Sequence, residues 1–142
     1  MLRKWNELPK RRNVLVQSYL QNPYLIDGLK FDLRVYVYVS SVEPLRVYVY
    51  RDGLVRFASS RFSLKESSLR NKFAHLTNYA INCENPAYRA NKDESADGCE
   101  GHKWSLRGFW NFMREQGHNM DLVWARIKTL AVKTILRSLI DV

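Results

Sequence analysis

GLKFDLRVYVYV, residues 28–39, decides the fold. In an extended chain successive side chains point to opposite faces, so Phe31, Leu33, Val35, Val37 and Val39 share one side. Lys30, Asp32, Arg34, Tyr36 and Tyr38 share the other. The first set asks to be buried. The second sets two cations around one anion and then adds two phenols, which is more chemistry than a solvated surface needs.

Outward from this strand, SSVEPL (40–45) has the composition of a turn and RVYVYR (46–51) alternates again. Asp52-Gly53 is the expected hairpin turn, with LVRFAS (54–59) returning, which predicts a three-stranded antiparallel meander. Turn length sets the register. A three-residue turn with Gly53 left-handed puts Arg56 on the Tyr48 side, where it converges with Lys30, Asp32 and Arg34; a two-residue turn puts it opposite Val49. The three-residue form is the expectation.

Upstream, VLVQSYL (14–20) is a candidate for a short buried strand, ended by QNPYL, in which Pro23 cannot donate to a ladder. Downstream, residues 60–103 are rich in Ser, Asn, Lys and Gly, a long connection of the kind that is functional or mobile, and contain KFAHLTNYAIN (72–82). Leu106, Phe109, Trp110 and Met113 then recur at helical spacing, with Ser105 as cap and Gly117 as stop. A second helix is expected from about Met120, with Val123, Ile127, Leu130, Ile135 and Leu139 inward. The class is α+β: an antiparallel sheet over about 13–60, a functional loop over about 60–103, and C-terminal helices over about 105–140.

A chain of 142 residues, 46% hydrophobic and 13% aromatic, has the size of one domain and can bury a core. It has no run of about 18 apolar residues. MLRKWNELPKRR lacks the apolar stretch of a secretion signal, so a cytosolic compartment is expected, with Cys83 and Cys99 as thiols. Twenty-three Lys and Arg against 14 acids give +9, which favours an anionic partner: nucleic acid, anionic lipid or an acidic protein.

Lys30, Asp32 and Arg34 have two readings, a cross-strand ion network on a wet face or a cradle for phosphate and carboxylate, to which arginine offers a planar fork. HLTN (75–78) has two as well. Its groups suit ribose hydroxyls and phosphate oxygens, yet a loop histidine is commonly a satisfied structural residue and Thr77 and Asn78 commonly cap or turn. Zinc is not expected, because Cys83, Cys99, His102 and His118 lack a paired C-x-x-C spacing. HExxH, a GxSxG elbow and a Gly-rich phosphate loop are absent, leaving nucleophilic hydrolysis unsupported. Tyr36, Tyr38, Tyr48 and Tyr50 on a basic sheet suit base stacking, a nucleic-acid reading weakened by the acid among the cations and the lack of an RNP-type sequence.

VQSYLQNPYLIDGLKFDLRVYVYV, PLRVYVYRDGLVRFAS, NKFAHLTNYAIN and GHKWSLRGFW, in this order, closely resemble the tubulin tyrosine ligase-like family, and within it the glutamate-adding branch. The resemblance covers nearly the whole chain, from about Trp5 to Leu139. It implies an ATP-grasp fold, in which a carboxylate is activated as an acyl phosphate and attacked by an amine. The carboxylate belongs to a glutamate of the tubulin tail and the amine to free glutamate. The acidic tails give +9 a purpose, with nucleic acid and membrane not expected as partners.

By the same resemblance, Gln17, Ser18, Tyr19 and Leu20 are similar to the segment that meets adenine, and Lys30 and Asp32 to the pair beside ribose and phosphates. Thr77 and Asn78, helped by His75, resemble the second nucleotide contact. Arg34 and Arg56 resemble the cations that hold a carboxylate and the transferring phosphoryl group, and Tyr79 and Lys103 positions lining the incoming glutamate, which Arg56 also meets. Family members also carry an N-terminal nucleotide lobe and, after the last helix, an Asp and Glu-x-Asn that bind Mg2+; neither is in these 142 residues. The chain alone is therefore expected to be an incomplete, inactive domain: a fragment, an incomplete gene model, or a pseudoenzyme that binds acidic tails. Glycine addition, initiation against elongation, and tubulin preference stay open. Relatives suggest the cytoskeleton, with cilium or basal body.

Overall fold

The computed structural model describes residues 5–9, 13–91 and 98–140. Its centre is a long antiparallel ribbon of β2 (Leu29–Val42) and β3 (Leu45–Phe57), flanked by β1 (Leu25–Ile26) and β4 (Lys103–Ser105) in the order β1-β2-β3-β4. Short helices α1 (Lys72–His75) and α2 (Tyr79–Asn82) lie in the connection, and α3 (Leu106–Glu115) and α4 (Met120–Ile140) follow the sheet. The chain is thus α+β with an antiparallel sheet and C-terminal helices.

Three expectations about the strands need correction. Residues 14–20 form no strand and are largely exposed, with Leu15 at 86%. The turn after β2 is only Glu43-Pro44, joined by a cis peptide bond, because Val42 already pairs with Leu45. Asp52-Gly53 is no hairpin turn, since β3 runs unbroken from Leu45 to Phe57. The Asp-Gly pair that does turn the chain is Asp27-Gly28, where φ is 51° and 76° and Ile26 pairs with Leu29. Positive φ at both central residues is the signature of a type I′ hairpin.

Asp52-Gly53 instead makes a bulge. Val35 pairs with Gly53 and Val37 with Val49, so residues 50–52 stand against Tyr36 alone. The Asp52 carboxylate takes the Gly53 amide at 2.7 Å and the Arg107 amide at 3.3 Å, which ties the bulge to the start of α3. Gly53 is needed for close approach rather than for a turn: a Cβ there would lie 2.2 Å from the Arg34 carbonyl oxygen. The bulge adds two residues to β3, an even number, so Arg56 keeps the Tyr48 side. It stands directly across from Asp32.

The core forms where this ribbon meets α3. Val55, Phe57, Trp104, Leu106, Phe109, Trp110, Met113 and Met120 are buried, and Leu29, Phe31, Leu33 and Val35 pack on them. The Phe31 ring lies tilted against Phe57 and Phe109, with ring centres 5.6 and 5.3 Å away. Ser105 caps α3 as expected, its hydroxyl accepting from the Gly108 amide at 2.9 Å, and Gly117 follows with φ 82°. On α4, Val123 and Ile127 pack on the core, but Leu130 is 66% exposed, contrary to expectation, because the helix runs past the edge of the core.

Candidate functional site

The face of the ribbon opposite the core is a row of charge. Asp32 pairs across with Arg56, and Arg56 with Lys103, so one register row spans β2, β3 and β4. Arg56 Nε and Nη2 donate to the two Asp32 oxygens at 2.9 and 2.8 Å, a bidentate fork. Thr77 Oγ1 donates to Asp32 Oδ2, which clamps the HLTN loop onto the ribbon. The Asp32 hydrogen bond is the largest influence on the Arg56 guanidinium and, against partial burial, holds it above its ordinary value.

Lys30 fixes the other end of the loop. Its ammonium donates to the His75 carbonyl at 2.9 Å and to the Tyr19 hydroxyl at 3.4 Å, lying 4.9 Å from the Tyr19 ring centre. His75 is buried, and both ring nitrogens are engaged: Nε2 with the Ser68 carbonyl at 3.1 Å and Nδ1 with the Tyr19 hydroxyl at 3.0 Å. A carbonyl only accepts, so Nε2 carries the proton. These bonds hold Tyr19, Lys30 and residues 75–77 as one unit.

Asn82, fully buried, holds the loop from beneath. Its Oδ1 accepts from the Ser59 amide and hydroxyl at 2.8 and 2.7 Å, and its Nδ2 donates to the Leu76 and Asn78 carbonyls at 2.8 and 3.0 Å. Asn85 adds a 2.8 Å bond to the Ser59 hydroxyl. The sequence reading passed over Asn82 and Asn85. The signal for them was the cluster of Asn71, Asn78, Asn82 and Asn85 in a segment short of apolar residues.

Two cavities flank this unit. A cleft of about 310 Å³ is lined by Arg34, Arg56, Thr77, Tyr79 and Lys103, all named from sequence as site residues, by His102, weighed there only as a zinc ligand, and by Asn82 and Tyr88, which were not named. Gln17, Ser18 and Tyr19 line a second, wider one of about 790 Å³ with the apolar Val14, Val16, Leu64 and Leu69. Lys30, Asp32 and His75 lie between the two, in the clamp; Leu20 is 81% exposed and Asn78 is exposed at the start of α2.

Charge in the first cleft is unbalanced. Arg56 is neutralised by Asp32, whereas among the described residues Arg34 and Lys103 have no ion-pair partner. Tyr88 stacks on His102 with ring centres 5.3 Å apart and meets Tyr79 edge-on at 5.8 Å. Burial raises the Tyr88 phenol above its ordinary value, so it stays a hydroxyl. The His102 imidazole is held below its usual range, chiefly by burial, with the Arg89 charge adding to this against an opposing contribution from the Arg89 backbone.

The β-ribbon thus presents two uncompensated cations beside a fixed Asp-Arg-Thr clamp. The chain belongs to the tubulin-tyrosine ligase family, whose profile matches residues 1–142. It is 56% identical over 138 residues to the mouse tubulin monoglutamylase TTLL4, a match covering 97% of this chain and 11% of that protein. It is 41% identical to a probable beta-tubulin polyglutamylase of Tetrahymena thermophila (96% and 11% covered) and 37% identical to the human tubulin polyglutamylase TTLL5 (92% and 10%). The chain therefore spans about a tenth of the length of these relatives.

Proposed function

We propose that this chain is the part of an ATP-dependent protein-glutamate ligase that holds the reacting carboxylates, and that its substrate is the acidic tail of tubulin. The observation that carries the reading is the pair of uncompensated cations, Arg34 and Lys103, in a cleft beside the Asp32–Arg56–Thr77 clamp. In a family whose relatives are named for glutamylation of tubulin, such a cleft suits a carboxylate on each side of a new amide bond. The net charge of +9 steers an acidic tail toward it.

The residues also suit a nucleotide. The apolar side of the wider cavity takes a base beside Gln17, Ser18 and Tyr19, and Lys30 lies on the path from there to the clamp. When bound, ATP would supply the phosphoryl group that activates the acceptor carboxylate as an acyl phosphate, from whose carbonyl carbon an amine displaces phosphate. Arg34 neutralises the charge that gathers on the acceptor, a preorganised electrostatic role. Arg56 is held at fixed height and angle by Asp32, and His75 positions Tyr19 and Lys30. Lys103 and Tyr79 hold the incoming amino acid at the cleft mouth.

Magnesium is a different matter. Among the described residues no group of three or more His, Cys, Asp or Glu is placed to hold a metal ion.

The test is incorporation of labelled glutamate into tubulin by the full-length protein with ATP. Wild type is expected to add label, and Arg34→Ala to lose about a hundredfold in kcat/KM, as when one preorganised transition-state contact is removed. No ATP-dependent incorporation by wild type, or full activity in Arg34→Ala, refutes the reading.

A further inference from the structure

The wall formed by Tyr88 and His102 is not accounted for by the clamp or by the two cations. His102 lies just before β4, and its carbonyl accepts from the Phe57 amide at 3.0 Å, which extends the β3–β4 ladder by one bond. Its own amide donates to the Arg89 carbonyl at 3.0 Å. The Arg89 amide returns a bond to the imidazole, donating to Nδ1 at 2.9 Å. A backbone N–H only donates, so Nδ1 holds a lone pair and the ring proton sits on Nε2. Tyr88 stacked on the ring at 26° keeps it from turning.

We infer that His102 is a neutral hydrogen-bond donor which binds a carboxylate of the amino acid in the cleft through Nε2–H. The assignment rests on the reading that an amino acid enters this cleft. Its lone pair is committed to Arg89, so the ring cannot take a proton from an attacking amine; the nearest imidazole to the cleft is a binding group, not a base. A neutral donor beside Arg34 and Lys103 adds direction without adding charge, which favours a dicarboxylic ligand with one anionic group for each cation and a shared donor between them. The retained neutrality of the ring at physiological pH agrees with its burial.

Glutamine tests the proton directly, because its terminal amide donates from about the place of the imidazole Nε2–H, and phenylalanine keeps the stack but donates nothing. In the full-length protein His102→Phe is expected to raise KM for glutamate about tenfold to a hundredfold, the loss of one hydrogen bond to a charged group, with kcat little changed. His102→Gln is expected to bring KM back to within a few fold of wild type. An unchanged KM in His102→Phe overturns the inference, as does a loss confined to kcat in both variants.

A second measurement needs no turnover. Nitrogen-15 NMR of the wild-type histidines at neutral pH is expected to show His102 as the Nε2–H tautomer, with that proton shifting on addition of L-glutamate and not of neutral glutaramide. The Nδ1–H tautomer, or no response to glutamate, overturns the inference. If the protein transfers no glutamate yet the Nε2–H proton responds to it, the ligase reading falls and the assignment of His102 stands.

Discussion

The two halves of the β2–β3 ribbon share one sequence pattern and meet different fates. In the proximal half, residues 29–35 with 53–57, the apolar side lies on α3 and the core, and the polar side carries the clamp. In the distal half the same alternation continues, but Val37 and Val39 are exposed as well as Tyr36, Tyr38, Tyr48 and Tyr50. Alternation declares which side chains can share a face; it does not say what covers that face. The clamp side chains stand where the backing is packed, because a cation held by a strand on a dense core has one position while the same cation on a free ribbon has many.

The sharpest way to break this contrast is at the junction. Gly53→Ala would set a Cβ 2.2 Å from the Arg34 carbonyl oxygen, a backbone atom that cannot swing aside, so β2 and β3 must separate between the two halves. Thermal or denaturant unfolding is expected to show a loss of about 3 kcal/mol, the upper range for overpacking. Loss near zero would mean that the halves are joined more loosely than the Val35–Gly53 pairing indicates.

Next in size is the clamp. Asp32→Ala removes two bonds from Arg56 and one from Thr77 and leaves a partly buried guanidinium unpaired. With side chains 28% and 34% exposed, water compensates in part, and about 2 kcal/mol of stability is expected to go. A double-mutant cycle with Arg56→Ala is expected to recover a coupling of about 1 kcal/mol. Additive losses would show that the fork contributes nothing beyond its separate members.

Most of this half was legible from residue types. Lys30, Asp32 and Arg34 were placed on one face by parity alone, Arg56 reached that face only through an expected Gly53 turn that is in fact a bulge, and the helical spacing of Leu106, Phe109, Trp110 and Met113 found α3 with its Ser105 cap. The failures share a physical cause, competition for a local signal. Asp52-Gly53 has turn chemistry, but the Asp52 carboxylate is taken by the Gly53 and Arg107 amides, and the latter is brought near only by the fold. The apolar stretch 14–20 looks like a strand, yet no strand pairs with it. Leu130 has helical phase with Val123 and Ile127, but phase cannot tell where a core ends. Asn82 went unseen, and His102 was weighed only as a zinc ligand, because their partners are main-chain groups distant in sequence, Ser59 and Arg89, that no spacing rule connects.

A smaller effect is expected with pH. His102 is neutral in the fold and held below its ordinary value of about 6.5. The unfolded chain therefore binds more protons as the solution is acidified through and below that value. Stability from this group is full above about pH 6.5 and is lost as pH falls through the folded value. The groups that share the cleft wall with the ring are Tyr88, Tyr79, Arg89, Lys103, Arg34 and the Asp32–Arg56 pair, and none of them is a second imidazole. The unfolding midpoint of wild type is thus expected to drop between pH 7 and 5.5 by more than that of His102→Gln. Equal drops would remove His102 as the cause.

The smallest effect belongs to the distal half, and its smallness is the point. Tyr48 lies across from Tyr38 with ring centres 6.4 Å apart, both exposed, and no packed layer backs either ring. Tyr48→Ala is expected to cost less than about 0.5 kcal/mol, the range of ordinary surface substitutions. Phe57→Ala, one strand end away and fully covered, is expected to cost about 3 kcal/mol or more. A similar cost for the two would mean that the distal ribbon is braced in solution by another surface. A tenfold weaker response of glutamate transfer to Tyr48→Ala than to Arg34→Ala would then separate bracing from chemistry, because Arg34 lines the cleft and Tyr48 does not.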